Sequence, residues 1–392
     1  MKLSLLAFAA TLLRPLAVAY FALIKLVRPV QHKIVFISRQ SDSTPVDFSL
    51  LAAELQGQDR SLKFKYLCCS EMTRSSRPLG NLRQTTLELW HIASARAVIL
   101  DGYCLAISYF PQRKNLFVLQ MWHTLAVMKR ISWQAVDTPG GRDGRIAHAF
   151  RMHANYSALL TSGQASVENF RHAFRTARAR IHVMPLPRVD ILRAPDMNRL
   201  DMLITAHSDF FTHTPLILYA PTFHDEEESY LQWMENLHVL TAEAEKQGAT
   251  LIVKTHIRES AALEKSGLSD IQSPNLIINP EIDTLDLLAI VDHVVTDYSG
   301  IAFEAAAAGK PVWFYLPDYE SYCSKRGLNI DVTRELSDAC FADPVELMDA
   351  LRHTTLPSAE QMQFLNKYVA PPQKVGVSSA KEIARLVLKG IQ

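Results

Sequence analysis

The sequence predicts an α/β protein built of two doubly wound, parallel-sheet domains. Three observations carry that expectation. Short β-rich apolar runs alternate with helical stretches, the pattern of a parallel sheet covered on both faces. The alternation pauses in a polar region at 201–214 and then restarts. The chain has 392 residues, long for one hydrophobic core and suited to two.

The first 29 residues stand outside the alternation. Residues 3–13 are almost wholly apolar, Arg14-Pro15 interrupts them, and 16–24 are apolar again before Lys25 and Arg28. No unbroken run reaches the roughly 18 apolar residues of a clean spanning helix, and a bilayer centre tolerates Arg14 poorly. Residues 1–29 therefore read as a membrane-associating segment, a helix or helix pair in the interface. Lys2, Arg14, Lys25 and Arg28 would then reach the headgroups. A signal peptide with Ala17-Val18-Ala19 as its cleavage-like site, and a buried core helix, are the alternatives.

The first domain is assigned 30–195. Strands are expected at 33–38, 62–69, 97–101, 115–121, 156–161 and 181–184, with helices at 48–55 and 85–93 between them. The strand at 97–101 ends on an acid, Asp101, and that at 115–121 runs straight into Trp122-His123-Thr124. The second domain is assigned 196–392 and includes a terminal helix near 380–388. Its strands are expected at 216–220, 250–254, 275–278, 293–296 and 312–316, and its helices at 230–247, 283–290 and 301–308. In open parallel sheets ligands sit at the carboxyl ends of strands, so the polar residues after each strand are the candidates for chemistry.

Lys+Arg is 41 and Asp+Glu is 40, so no global basic field exists and bulk nucleic-acid binding is not indicated. The five cysteines are odd in number, Cys68 and Cys69 are adjacent, and no metal spacing appears. That is a reduced, cytosolic complement rather than a disulfide framework. Arg171, Arg175 and Arg178 fall at i, i+4 and i+7, either a solvated face or a patch for anionic lipid or a polyanion. Asp225-Glu226-Glu227-Glu228 is an acidic helix start or, with no spacing that demands it, a divalent-ion site.

The most informative stretch is Thr296-Asp297-Tyr298-Ser299-Gly300-Ile301, followed by Gly309-Lys310-Pro311. It reads as strand, tight polar turn, helix, helix stop and strand. Free N–H groups and the dipole of a helix start favour an anion there, while a plain Ser299-capped turn has the same signature.

Four clusters that follow strands resemble one family. Gln120-Met121-Trp122-His123 with Lys129-Arg130-Ile131 is similar to a Trp-His motif with trailing basic residues. Tyr219-Ala220-Pro221-Thr222 and Lys254-Thr255-His256 look like two further strand ends, and Asp297-Tyr298-Ser299 through Phe303-Glu304 and Lys310-Pro311 like a C-terminal signature. Pro187-Arg188-Val189-Asp190 adds a central match. Together they resemble the CDP-glycerol glycerophosphotransferases, the teichoic-acid primases and polymerases. The resemblance covers about 33–335. It implies two facing Rossmann-like domains of the GT-B type, an N-terminal acceptor domain and a C-terminal CDP-donor domain.

The resemblance implies transfer of glycerol phosphate, or a related polyol phosphate, to a lipid-linked or polymeric acceptor at the cytoplasmic face of the membrane. CDP-glycerol or another CDP-polyol would be the donor substrate. No cofactor and no metal ligand set is assigned; a divalent cation is left open. An acceptor hydroxyl needs a base, and histidine is the side chain best poised near neutral pH. His123 is expected to be that base, with Trp122, Lys129 and Arg130 on the acceptor side. His256, with Lys254 and Arg258, would face the diphosphate. Ser299 and Gly300 would bind phosphate oxygen, with Thr222, Asp297 and Glu304 also on the donor. Thr124 stands where the family has glycine, and Gly300 where it has a second serine. These departures motivate one alternative, a non-catalytic polymer-binding scaffold, and a second, a GT-B glycosyltransferase using a nucleotide sugar, is open because the same fold and diphosphate site would serve it.

Overall fold

The computed structural model describes residues 2–71, 73, 78–222, 227–255, 273–354, 356–371 and 376–392. The chain divides into two compact units, Met1–Arg188 with Ala370–Gln392, and Val189–Val369. Among the described residues each unit is organised round a six-stranded parallel sheet.

The first sheet contains β1 (Lys33–Ser38), β2 (Lys63–Cys68), β3 (Ala97–Leu100), β4 (Phe117–Gln120), β5 (Ala158–Thr161) and β6 (Ile181–Val183), in the order β2-β1-β3-β4-β5-β6. Every residue of β1, β3 and β5 is buried, because helices cover both faces. Val35, Ile37, Val98, Leu100, Val118 and Leu159 belong to this core. Each such side chain contributes about 1.5–3 kcal/mol on leaving water. β1 pairs with both β2 and β3, so the strand order reverses there. That switch point opens a crevice at the carboxyl ends of β1 and β3.

The second sheet contains β7 (Leu216–Ala220), β8 (Thr250–Val253), β9 (Leu276–Ile278), β10 (His293–Thr296), β11 (Val312–Tyr315) and β12 (Cys340–Phe341), ordered β12-β11-β10-β7-β8-β9. Its switch point lies between β7 and β10. The helix Ile301–Ala307 ends as the Gly309-Lys310 pair predicts. Gly309 takes φ +72°, its N–H reaches the Ala306 carbonyl, and the Lys310 N–H reaches that of Ala305. This double closure satisfies carbonyls that the helix leaves open.

The N-terminal segment is one helix, Lys2–Val27, that continues through Pro15. Its length and composition suffice to cross a membrane, with a mean hydropathy of 1.8 over its most apolar stretch. One face is docked on the first unit. Phe21 and Ile24 are buried, and Phe21 meets Phe110 edge-on at 5.7 Å. The expectation that its cations reach headgroups is corrected for three of them. Arg14 lies against the Tyr109 ring and carbonyl, Lys25 Nζ donates to the Pro111 carbonyl at 3.0 Å, and Arg28 sits 4.5 Å over Trp90. Carbonyls in a loop without a strand partner need donors, and Arg14 and Lys25 supply them. The Lys2 side chain lies outside the described residues. The other face is apolar and open, with Leu5, Leu16 and Leu26 exposed by 69%, 70% and 81%.

Two sequence expectations change. The terminal helix, Ser379–Ile391, was assigned to the second domain but belongs to the first unit. Its buried stripe of Ala380, Ile383, Ala384, Val387 and Ile391 packs on the helix Val46–Gln58 and on β3 and β4. Gly390 lies so close to Phe117 that a Cβ there would fall 2.3 Å from the ring, and Arg96 donates to the Ile391 carbonyl at 3.0 Å. An apolar stripe states that a partner surface exists but not which one. The Arg171 stripe also dissolves, since its helix ends at Phe174. Arg171 pairs with Glu168 at 2.6 Å, and Arg175 stacks 3.7 Å from Trp133.

The chain leaves the first unit at Arg188, which is clamped there. Its backbone N–H and Nε both donate to the buried Asp47 carboxylate at 2.8 Å. Removing one partner of a buried pair strands the other charge. Asp47→Ala is therefore expected to destabilise the first unit by about 3–5 kcal/mol, read as a lower denaturant midpoint, and a loss below about 1 kcal/mol would show the clamp to be dispensable.

Candidate active site

In the first unit the chemistry-bearing residues gather at the carboxyl ends of β1, β3 and β4. The last rung between β3 and β4 is the Met121 N–H on the Leu100 carbonyl, at 2.8 Å. Beyond it the chains separate into Asp101-Gly102 on one side and Trp122-His123 on the other. Nδ1 of His123 lies 3.0 Å from the Asp101 carbonyl. A carbonyl only accepts, so Nδ1 carries the proton and Nε2 keeps the lone pair. This is the tautomer a general base needs, with its basic nitrogen turned from the anchoring carbonyl.

Trp122 holds a left-handed backbone, φ 65°, which a bulky residue rarely adopts. Its N–H donates to Gln120 Oε1 at 3.0 Å. Its ring stands edge-on to Phe174 at 5.1 Å and lies 4.4 Å from the His123 ring. Trp122 thus forms a wall beside the imidazole. Lys129 is half-buried and Arg130 exposed on the same connection. Asp101 is buried, and its carboxylate accepts from Ser38 Oγ at 2.5 Å and from the Arg39 N–H at 2.9 Å. Burial pushes its pKa up to about 6, against those hydrogen bonds.

The second unit repeats the arrangement at its own switch point. Asp297 is 5% exposed, and its Oδ2 accepts from the Thr222 N–H at 2.7 Å, joining the ends of β10 and β7. Among the described residues the Thr222 hydroxyl is buried without a hydrogen-bond partner. Ser299 and Gly300 are half-buried at the start of the helix Ile301–Ala307. Gly300 has φ −65°, so the turn itself does not demand glycine, and Ser299 Oγ lies a long 3.5 Å from the Ile301 N–H. Glu304 is half-buried in the first turn of that helix. Tyr298 is buried, stacks on Tyr322 at 3.7 Å and donates to Asp318 at 3.0 Å.

Lys254 is half-buried and donates to the carbonyls of Pro280 and Ile282 at 2.7 and 3.0 Å, and burial lowers its pKa. Its ammonium ties down the connection after β9. His256 and Arg258 lie outside the described residues, as do Phe223, His224 and Asp225. Among the described residues no group of three or more metal-ligating side chains occurs.

Sequence reasoning missed several residues here. Gln120, wholly buried, was noted only as part of the Trp-His motif and given no role, and an amide at the end of a buried strand was the available signal. Thr124, noted only as a departure, places a buried hydroxyl without a partner next to His123, again among the described residues. His153 and Tyr156, buried behind Trp122, left no local trace.

Asp101 yields a pH prediction. Its folded pKa of about 6 lies above the ordinary 3.8, so the native state holds the proton more tightly than the unfolded chain. Its stabilising contribution is complete below about pH 4 and is lost as pH rises through about 6, on the order of 3 kcal/mol in all. Urea unfolding of Asp101→Asn and the unsubstituted protein, at pH 4.5 and pH 7, should show the gap moving in favour of the variant as pH rises. Parallel pH dependences would show that Asp101 titrates normally.

Comparison with known proteins identifies the family. The family model for CDP-glycerol:poly(glycerophosphate) glycerophosphotransferase matches residues 20–382. A teichoic acid ribitol-phosphate primase of Bacillus spizizenii is 27% identical over 309 residues, covering 78% of each chain. A teichoic acid glycerol-phosphate primase of the same organism is 24% identical over 288 residues, 71% of each chain. The structure of the wall teichoic acid polymerase TagF superposes with a TM-score of 0.73 at 20% identity, covering 99% of this chain and 98% of that one. Two parallel-sheet α/β units, an N-terminal apolar helix and a family match along nearly the whole sequence make this chain a member of the CDP-glycerol:poly(glycerophosphate) glycerophosphotransferase family.

Proposed function

We propose that this chain transfers glycerol phosphate, ribitol phosphate or a related polyol phosphate from a CDP-linked donor to a hydroxyl of a lipid-linked or polymeric acceptor, in the synthesis of a teichoic-acid-like polymer. Family membership makes it a transferase, and TagF has been solved with CDPG. The observation that carries the mechanism is His123, whose Nδ1 is held by the Asp101 carbonyl. Nε2 takes the proton of the acceptor hydroxyl. The acceptor oxygen bonds to the polyol-bearing phosphorus, the bond from that phosphorus to the bridging oxygen breaks, and CMP leaves. Attack is direct, without a covalent intermediate on the protein.

The donor roles rest on the second unit. The Thr222 hydroxyl and the turn at Ser299-Gly300 bind phosphate oxygen, and Glu304 meets a ribose hydroxyl. Asp297 holds the two strand ends, and Lys254 adds positive charge while bracing its loop. His256 and Arg258 are assigned to the diphosphate on the family resemblance. Purified protein should release CMP from CDP-glycerol or CDP-ribitol only when a lipid-linked acceptor extract is present. His123→Ala should lower that rate at least ~100-fold with donor binding kept. Turnover of a nucleotide sugar in place of both CDP-polyols would overturn the substrate class, and full activity of His123→Ala would overturn the base.

The N-terminal helix supports a location at the membrane. Its docked face fixes it to the first unit, and its exposed face of Leu5, Leu12, Leu16 and Leu23 suits lipid at the cytoplasmic membrane surface. Leu16→Glu with Leu23→Glu should reduce partition into anionic vesicles at least ~10-fold, by sedimentation, without lowering the thermal midpoint. Unchanged partition would remove this helix from the membrane contact.

A further inference from the structure

One buried side chain ties together both backbone segments that place His123. Gln120 is fully buried at the end of β4. Its Oε1 accepts from the Trp122 N–H at 3.0 Å, and its Nε2 donates to the Gly102 carbonyl at 2.8 Å. Gly102 directly follows Asp101, whose carbonyl receives His123 Nδ1. Trp122 directly precedes His123. The amide therefore extends the β3–β4 ladder after its last backbone rung, where the two chains would otherwise diverge. It also holds Trp122 in the left-handed conformation that a bulky residue rarely adopts unaided.

A chain of hydrogen bonds stands behind that amide. Gln120 Nε2 also lies 3.2 Å from Tyr156 Oη, Tyr156 Oη 2.9 Å from His153 Nδ1, and His153 Nε2 2.8 Å from Ser132 Oγ. An amide nitrogen only donates, so Tyr156 Oη accepts from Gln120, and the same oxygen meets His153 Nδ1. Burial pushes the His153 pKa down to about 3, so its ring is neutral, with one nitrogen donating and the other accepting between Tyr156 and Ser132. The Gln120 amide itself has one orientation, its oxygen accepting from the Trp122 N–H and its nitrogen donating to the Gly102 carbonyl and Tyr156 Oη.

We propose that Gln120, braced by Tyr156 and His153, is the positioning residue for His123: it sets the ring's place and its Nδ1–H tautomer without touching substrate. This rests on the assignment of His123 as the base. A glutamate in its place would lose the donor to Gly102, and a leucine loses both contacts at similar volume.

The test combines kinetics with the ring nitrogens. Gln120→Leu and Tyr156→Phe should each lower kcat, by at least ~10-fold and ~3-fold, with the KM for the CDP-polyol within about twofold. The loss from Gln120→Leu should vanish in a His123→Ala background, because nothing remains to position. Nitrogen-15 NMR of labelled histidine should show His123 in one Nδ1–H tautomer, and a mixture in Gln120→Leu. An equal fold-loss with and without His123, or a single unchanged tautomer in both variants, would overturn the proposal. Should Gln120→Leu fail to fold, Tyr156→Phe carries the same comparison. Should His123→Ala keep full activity, the base assignment falls, and the tautomer measurement still decides whether Gln120 orients the ring.

Discussion

Both units depend on the same constraint, the gap that a doubly wound sheet opens where its strand order reverses. Neighbouring connections leave in opposite directions there, so peptide N–H groups past the last rung lose their strand partners. In each unit an aspartate on the later strand supplies the acceptor. Asp101 takes the Arg39 N–H and the Ser38 hydroxyl, and Asp297 takes the Thr222 N–H. A carboxylate suits this position because it accepts from several donors at once. It keeps the crevice open as a site while preventing its two walls from drifting apart.

The His123 ring is oriented by a backbone carbonyl, and that choice has a chemical consequence. A carboxylate partner would stabilise the imidazolium and raise its basicity, whereas a carbonyl fixes the tautomer with less bias toward the charged ring. The carboxylate of the same residue is engaged with the β1 connection instead. Asp101 thus divides its labour between its backbone, which orients, and its side chain, which braces.

The second unit shows polar strand-end residues with structural duties that a sequence does not display. Lys254 spends two donors on loop carbonyls, Asp297 joins two strand ends, and Tyr298 lies in the core against Tyr322. A cation and a carboxylate that look like ligands in a motif also keep the motif's backbone in place. Their removal would therefore mix loss of binding with loss of shape.

The alternation of apolar runs predicted both sheets and most of their strands, because parallel strands buried on two faces must be continuously apolar. The helix stop at Gly309-Lys310 was equally legible, since φ +72° is a local requirement that glycine meets at little cost. The Trp-His and Asp-Tyr-Ser clusters were legible because they sit in sequence at strand ends. The terminal helix was not, since the stripe from Ala380 to Ile391 fits any apolar face and only the assembled first unit offers the groove beside Phe117. The cations of the N-terminal helix were misread for the same reason, as the carbonyls of Tyr109 and Pro111 that receive Arg14 and Lys25 lie about ninety positions away. Local pattern determined the elements, their order and the residues at their ends. Tertiary structure alone decided which surfaces meet, and with them the tautomer of His123 and the partners of Gln120, because a hydrogen bond between distant residues exists only after the chain has brought them together.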